Sequence, residues 1–143
     1  MSEQHIASAF DRDLEAVQAQ LMKMGGLVEE NIRLGAKALK TRDLELADTV
    51  RSLDSEIDEL NEQINLDCAR VLALRQPAAS DLRTVLTVMR IANNLERIGD
   101  YAKNMAKRTA VLAQLQPIEG ASGAVKRMAK EVRHMLSDSL DAR

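Results

Sequence analysis

Apolar side chains return every three or four residues along most of the chain, the period of helices with one buried face. The pattern is clearest from Ser80 to Lys107. There Leu82, Val85, Val88, Met89, Ala92, Leu95, Ile98, Ala102, Met105 and Ala106 share one side. An earlier stripe, Phe10, Leu14, Val17, Leu21, Met24, Val28, Ile32, Ala36 and Leu39, predicts a first helix beginning near Ala7 to Asp11. Gly25 and Gly26 interrupt it, and glycine costs about 1 kcal/mol in a helix interior. The stripe stays in phase across the pair, so one helix is expected, with room there for a close neighbour. Thr41 or Asp43 is placed to cap a second helix. Its stripe reads Ala47, Val50, Leu53, Ile57, Leu60, Ile64, Cys68, Val71 and Leu74. Pro77 ends that helix, because proline disfavours helical backbone in the residue before it. Ser80 is expected to cap the third helix.

Three helices of about 30 residues, roughly 45 Å long at 1.5 Å per residue, with short links predict antiparallel neighbours. The expected fold is all-α, an up-down-up three-helix bundle over residues 1–115. Residues 116–123, QPIEGASG, carry a proline and two glycines and read as a linker. Residues 124–143 predict a fourth helix with Val125, Met128, Val132, Met135 or Leu136, and Leu140 on its apolar side. Met128, Val132 and Leu136 echo Met24, Val28 and Ile32, so this helix reads as the start of a second, incomplete bundle. Its stripe needs cover. A homo-oligomer formed through the fourth helix is therefore expected.

The chain has 143 residues, enough for one domain with a real core. Tyr101 and Phe10 are its only aromatic residues and its formal charge is −2. With no basic excess and no stacking side chains, nucleic acid is not an expected partner. The lone Cys68 excludes an internal disulfide and fits a reducing, cytoplasmic compartment. It lies in the apolar stripe of the second helix and reads as core. No basic-then-apolar leader opens the sequence, and no uncharged apolar run reaches bilayer length.

The candidate chemistry lies in acids. Glu96 and Asp100 stand one turn apart, so both project from one side of the third helix. Asp54 and Asp58 repeat that spacing on the second. If the two pairs face each other, four carboxylates meet, and their repulsion is relieved by a hard or borderline cation. The plain alternative is a solvated helix face. Arg83, Arg90 and Arg97 recur every seven residues along the third helix. They are expected either to pair with acids of the second helix or to form a strip for a phosphate group or an acidic partner. Glu131 and His134 spell E-x-x-H, but di-iron bundles need two such motifs, so a surface pair is expected. His5 lies in the N-terminal stretch, which is expected to fray. No nucleophile stands beside a base and no glycine-rich loop follows a strand, so no enzymatic turnover is expected.

Three stretches together resemble one family: Met22–Glu29 (MKMGGLVE), Arg75–Arg83 (RQPAASDLR) and Leu95–Ala102 (LERIGDYA). They are similar to PhoU proteins, accessory and regulatory proteins of phosphate transport. The resemblance implies two similar three-helix bundles and acidic E(D)-x-x-x-D motifs that bind metal, with iron, zinc, magnesium or manganese as candidates. By position those motifs are Glu96 with Asp100 and Asp54 with Asp58. It also implies a negative regulator of phosphate-starvation signalling, acting between the ATPase of a phosphate ABC transporter and a membrane sensor histidine kinase, and peripheral to the membrane through them. A member should continue into a second ERIGD-like helix, so a truncated chain is expected. The rivals are a carboxylate-bridged metal-storage or metalloenzyme bundle and a purely structural helical module.

Overall fold

The computed structural model describes residues 3–115 and 121–141, leaving aside the side chains of 3–7 and 121–122. It contains α1 (Glu3–Thr41), α2 (Leu44–Arg75), α3 (Ala79–Leu112) and α4 (Ala121–Asp141). The described residues include no strand, and none of the helices is long and apolar enough to cross a membrane.

The helix ends follow local chemistry. Arg42 turns the chain with a left-handed φ of 57°. Asp43 then caps α2, its carboxylate accepting the Leu46 N–H at 3.1 Å. Gln76, with φ 43°, closes α2 by donating its N–H to the Leu72 carbonyl at 3.3 Å. Ser80 does not cap α3. Pro77 and the extended Ala78 complete the reversal first, so the helix starts at Ala79 with no side-chain cap. Ser80 lies in the first turn, where its carbonyl accepts the Thr84 hydroxyl at 3.1 Å. Two other helices begin earlier than their apolar stripes suggest. Good helix formers such as Glu3 and Gln4 extend α1 with no breaker to stop it. Similarly, α4 starts at Ala121, inside the expected linker.

The first three helices pack pairwise as the up-down-up bundle. Met24, Val28 and Ile32 of α1 are fully buried against Val50, Ile57 and Ile64 of α2 and Leu95 and Ala102 of α3. Each large side chain among them contributes roughly 1.5–3 kcal/mol by leaving water. Leu74 and Leu82, both on expected apolar stripes, are instead exposed near the bundle's ends.

α4 packs on α1 and α3 and makes no contact with α2. It buries Ala129, Val132 and Leu136. It runs antiparallel to α1: Lys126 lies beside Lys40, and Leu140 reaches Gly25. A Cβ on Gly25 would stand 3.3 Å from Leu140 Cδ2. The glycine pair is therefore spanned by one helix, and Gly25 provides the room that α4 uses.

Candidate functional site

The second helix buries Ala47, Val50, Asp54, Ile57, Asn61, Ile64, Cys68 and Val71. Their steps alternate three and four residues without a break, which defines the inner stripe more strictly than the apolar residues do. Two positions of that stripe are polar. Asp54 and Asn61 thus lie in the seam, whereas Leu53 and Leu60 are only partly buried.

Opposite them, α3 contributes Glu96, Asp100 and Lys103. Asp54 is 4% exposed, Asp58 and Glu96 are half-buried, and Asp100 is exposed. Lys103 Nζ stands 3.7 Å from Asp54 Oδ2. Asn61 donates its amide to Glu96 Oε2. Asn65 continues the polar run, donating to Asn61 Oδ1 at 3.1 Å and to Asn93 Oδ1 at 3.2 Å. The seam therefore passes from carboxylates at one end to amides at the other. Behind it, the fully buried Asn31 of α1 donates to the Val50 carbonyl at 3.1 Å, one turn before Asp54. The Oδ1 of Asn31 has no hydrogen-bond partner among the described residues.

The four sequence-predicted acids are in electrostatic reach of one another. Burial pushes the Asp54 carboxyl above its ordinary value, and Asp58 and Asp100 push it further; Lys103 opposes them. Asp58 is raised by burial and by Asp100 and Glu62, again against Lys103. Glu96 is raised by burial, then by Asp58, Asp100 and Asp54, while the Asn61 amide holds it down. Such repulsion in a partly desolvated seam favours any cation that enters.

The donor set fits a hard, oxygen-preferring cation in kind: four carboxylates, no thiol and no imidazole. Among the described residues, however, no three acidic, histidine or cysteine side chains are gathered closely enough to hold an ion as they stand. Glu96 is turned to Asn61, and Lys103 supplies positive charge to Asp54.

The remaining candidates separate. Arg83, Arg90 and Arg97 are exposed, and none makes an ion pair among the described residues, so pairing with α2 is not their role. Glu131 and His134 lie exposed on α4, away from the acidic seam. Cys68 is buried in the core, which pushes its thiol up to about 11. The side chain of His5 lies outside the described residues. The apolar stripes gave no place to Asn61, Lys103 and Asn31. The unbroken three-four stepping through Asp54 and Asn61 was the signal for the first.

Fold and seam together define an all-α bundle module whose chemistry is carried by polar side chains between two helices. Residues 21–109, the second half of α1 through nearly all of α3, match the family model described as the PhoU domain. The chain belongs to the PhoU family. The phosphate-specific transport system accessory protein PhoU homolog of Pseudomonas putida is 39% identical over 138 residues, 96% of this chain and 54% of that protein. The homolog from Aquifex aeolicus is 37% identical over 129 residues, 90% of this chain and 58% of that protein. The crystal structure of PhoU from Pseudomonas aeruginosa superposes with a TM-score of 0.86 at 38% identity, covering 93% of this chain and 64% of that one. That of the phosphate transport system regulatory protein PhoU from Streptococcus pneumoniae gives 0.74 at 32% identity, covering 90% and 61%. The chain spans little more than half the length of these curated relatives.

Proposed function

We propose that this chain acts in phosphate-uptake regulation as a docking module without turnover, holding a cation in its α2/α3 seam. The observation that carries this reading is the meeting of Asp54, Asp58, Glu96 and Asp100 from two helices in one partly buried seam. Those four side chains would hold the ion, with magnesium, manganese, zinc and iron as candidates. A bound cation supplies positive charge to a surface otherwise dominated by carboxylates. Lys103 supplies part of that charge already, and Asn61 steadies Glu96. Along α3, Arg83, Arg90 and Arg97 are spaced about 10 Å apart at 1.5 Å per residue and present guanidinium groups that make no ion pair among the described residues. They suit a phosphate group or an acidic partner surface. The names of the relatives, accessory and regulatory proteins of phosphate transport, support a place beside that transport system, and the proteins proposed to read this surface are the transporter ATPase and a membrane sensor kinase. The consequence would be repression of phosphate-starvation signalling.

Two measurements test the reading. Metal analysis of protein dialysed against each candidate ion should show bound metal that Glu96→Gln with Asp100→Asn removes. Capture from phosphate-replete membranes should recover the ATPase or the kinase, and charge reversal at Arg90 and Arg97 should weaken it. Negligible metal in the parent protein defeats the cation-holding part. Capture of neither partner defeats the regulatory part.

A further inference from the structure

We infer that the end of the bundle where the α1–α2 turn meets the C-terminus of α3 docks directly on an anionic lipid bilayer, with no protein in between. Two independent features of that end carry the inference. The first is apolar. Val111, Leu115 and Leu44 are 62%, 52% and 50% exposed. Leu115 is held in place: its N–H donates to the Leu112 carbonyl at 3.0 Å, and its own carbonyl accepts from Arg42. The second bond ties the α1–α2 turn, and Leu44 with it, to the end of α3. Large aliphatic side chains fixed in water at the tip of a rod mark a contact surface.

The second feature is charge. Lys40 and Arg42 lie at the end of α1, Lys107 and Arg108 near the end of α3, and Lys126 and Arg127 in the first turns of α4. No acid interrupts residues 33–42, 101–115 or 123–130, although the whole chain carries −2. Lys126 stands beside Lys40 and by repulsion lowers its pKa. An arriving anion relieves that crowding. The acids nearby, Asp43, Glu45 and Asp48, belong to the capped start of α2, which α4 does not touch. The corner of α1, α3 and α4 therefore leads toward the lipid. At the opposite end Leu74 and Leu82 are also exposed, but there Asp13, Asp67 and Asp81 are interleaved with the arginines.

A soluble polyanion would be satisfied by the cations and would leave the aliphatic side chains in water. An anionic bilayer takes both. Headgroup phosphates meet the lysines and arginines, and Val111, Leu115 and Leu44 enter the boundary between headgroups and acyl chains. The inference concerns this end alone and does not depend on the cation-holding seam or the partner proteins proposed above.

Co-sedimentation of the full 143-residue chain with protein-free vesicles tests it. Vesicles rich in phosphatidylglycerol should bind the chain, more weakly as salt rises, and pure phosphatidylcholine vesicles should not. Lys40→Glu with Lys126→Glu should weaken binding about tenfold or more. Val111→Ser with Leu115→Ser should weaken it about fivefold or more. Arg12→Glu with Arg70→Glu makes the same change in net charge at the opposite end and should leave binding nearly unchanged. All six positions are exposed, and circular dichroism checks that each variant stays helical. Absence of binding to the anionic vesicles overturns the inference. So does binding that the far-end pair weakens as much as the lysine pair. Binding that the serine pair leaves untouched, and that inorganic tripolyphosphate displaces completely, overturns it in favour of a soluble polyanion.

Discussion

Lys103 Nζ lies 3.7 Å from Asp54 Oδ2, tying the third helix to the most deeply placed acid of the second. Asp54 is otherwise surrounded by burial and by like charge from Asp58 and Asp100. Lys103→Met should therefore destabilise the metal-free protein at neutral pH. The lysine is 42% exposed on its side chain, so solvent discounts the pair and the loss should be about 1 kcal/mol. Denaturant midpoints at pH 7 should fall, and the difference from the parent should shrink in acid as Asp54 takes up a proton. The same variant should show a larger thermal shift on adding a divalent cation, because a competing charge has gone.

Three acids of the seam should contribute to the pH dependence of stability with an unusual sign. Asp54, Asp58 and Glu96 have folded-state values raised above their unfolded ones. The native protein therefore binds protons before the unfolded chain does, and unfolding free energy falls as pH rises through that window. Chelator-treated protein should gain thermal stability as pH is lowered from 7 toward about 5, just above the ordinary carboxylate range. Asp54→Asn combined with Glu96→Gln should flatten that gain. A melting temperature that drops steadily over the same range would contradict the shifts.

Asn61→Ala removes the amide that donates to Glu96 and accepts from Asn65. Two polar groups lose a partner at a buried position, at a cost of about 1–3 kcal/mol. Equilibrium unfolding should show that loss. Asn65→Ala, at the more open end of the run, should cost less.

Two glycines of α1 should respond in opposite directions to alanine. At Gly35 a Cβ would meet backbone of α3, 3.2 Å from the Ala102 carbonyl oxygen and 3.3 Å from its Cα. Backbone cannot step aside as a side chain can, so Gly35→Ala should destabilise by about 1–3 kcal/mol. At Gly26 a Cβ would meet nothing within 4 Å. Gly26→Ala should stabilise by about 0.5–1 kcal/mol through helix propensity. Chemical denaturation of the pair reads both signs.

Much of the fold was legible because long helices leave a repeating trace. The stripes through Met24, Val28 and Ile32 and through Leu95, Ala102 and Met105 are buried in the structure as their spacing predicts. Asp43 and Pro77 marked the first two reversals for chemical reasons that do not depend on tertiary context. Ser80 misled because a cap needs the chain to be extended at that residue, and Pro77 had already finished the turn. The acids of the site were legible as two pairs one turn apart. Their surroundings were not. Hydrophobicity assigned Leu53 and Leu60 to the stripe of α2, whereas packing chose Asp54 and Asn61, whose polarity is met by Lys103 and Glu96 across the helix boundary. A partner on another helix leaves no mark in a one-dimensional pattern.

The amide run from Asn61 to Asn93 also fixes how the second and third helices are aligned. Leucine and valine surfaces are nearly indifferent to a slide of one turn, since one methyl group replaces another. Hydrogen-bonded amides are not. A slide of 5.4 Å would part Asn61 from Glu96 and Asn65 from Asn93 together, stranding the buried Asn61 amide among aliphatic neighbours. The aliphatic core holds these rods together, and the asparagines act as the detent that stops them at one setting, keeping the two acidic pairs level with each other.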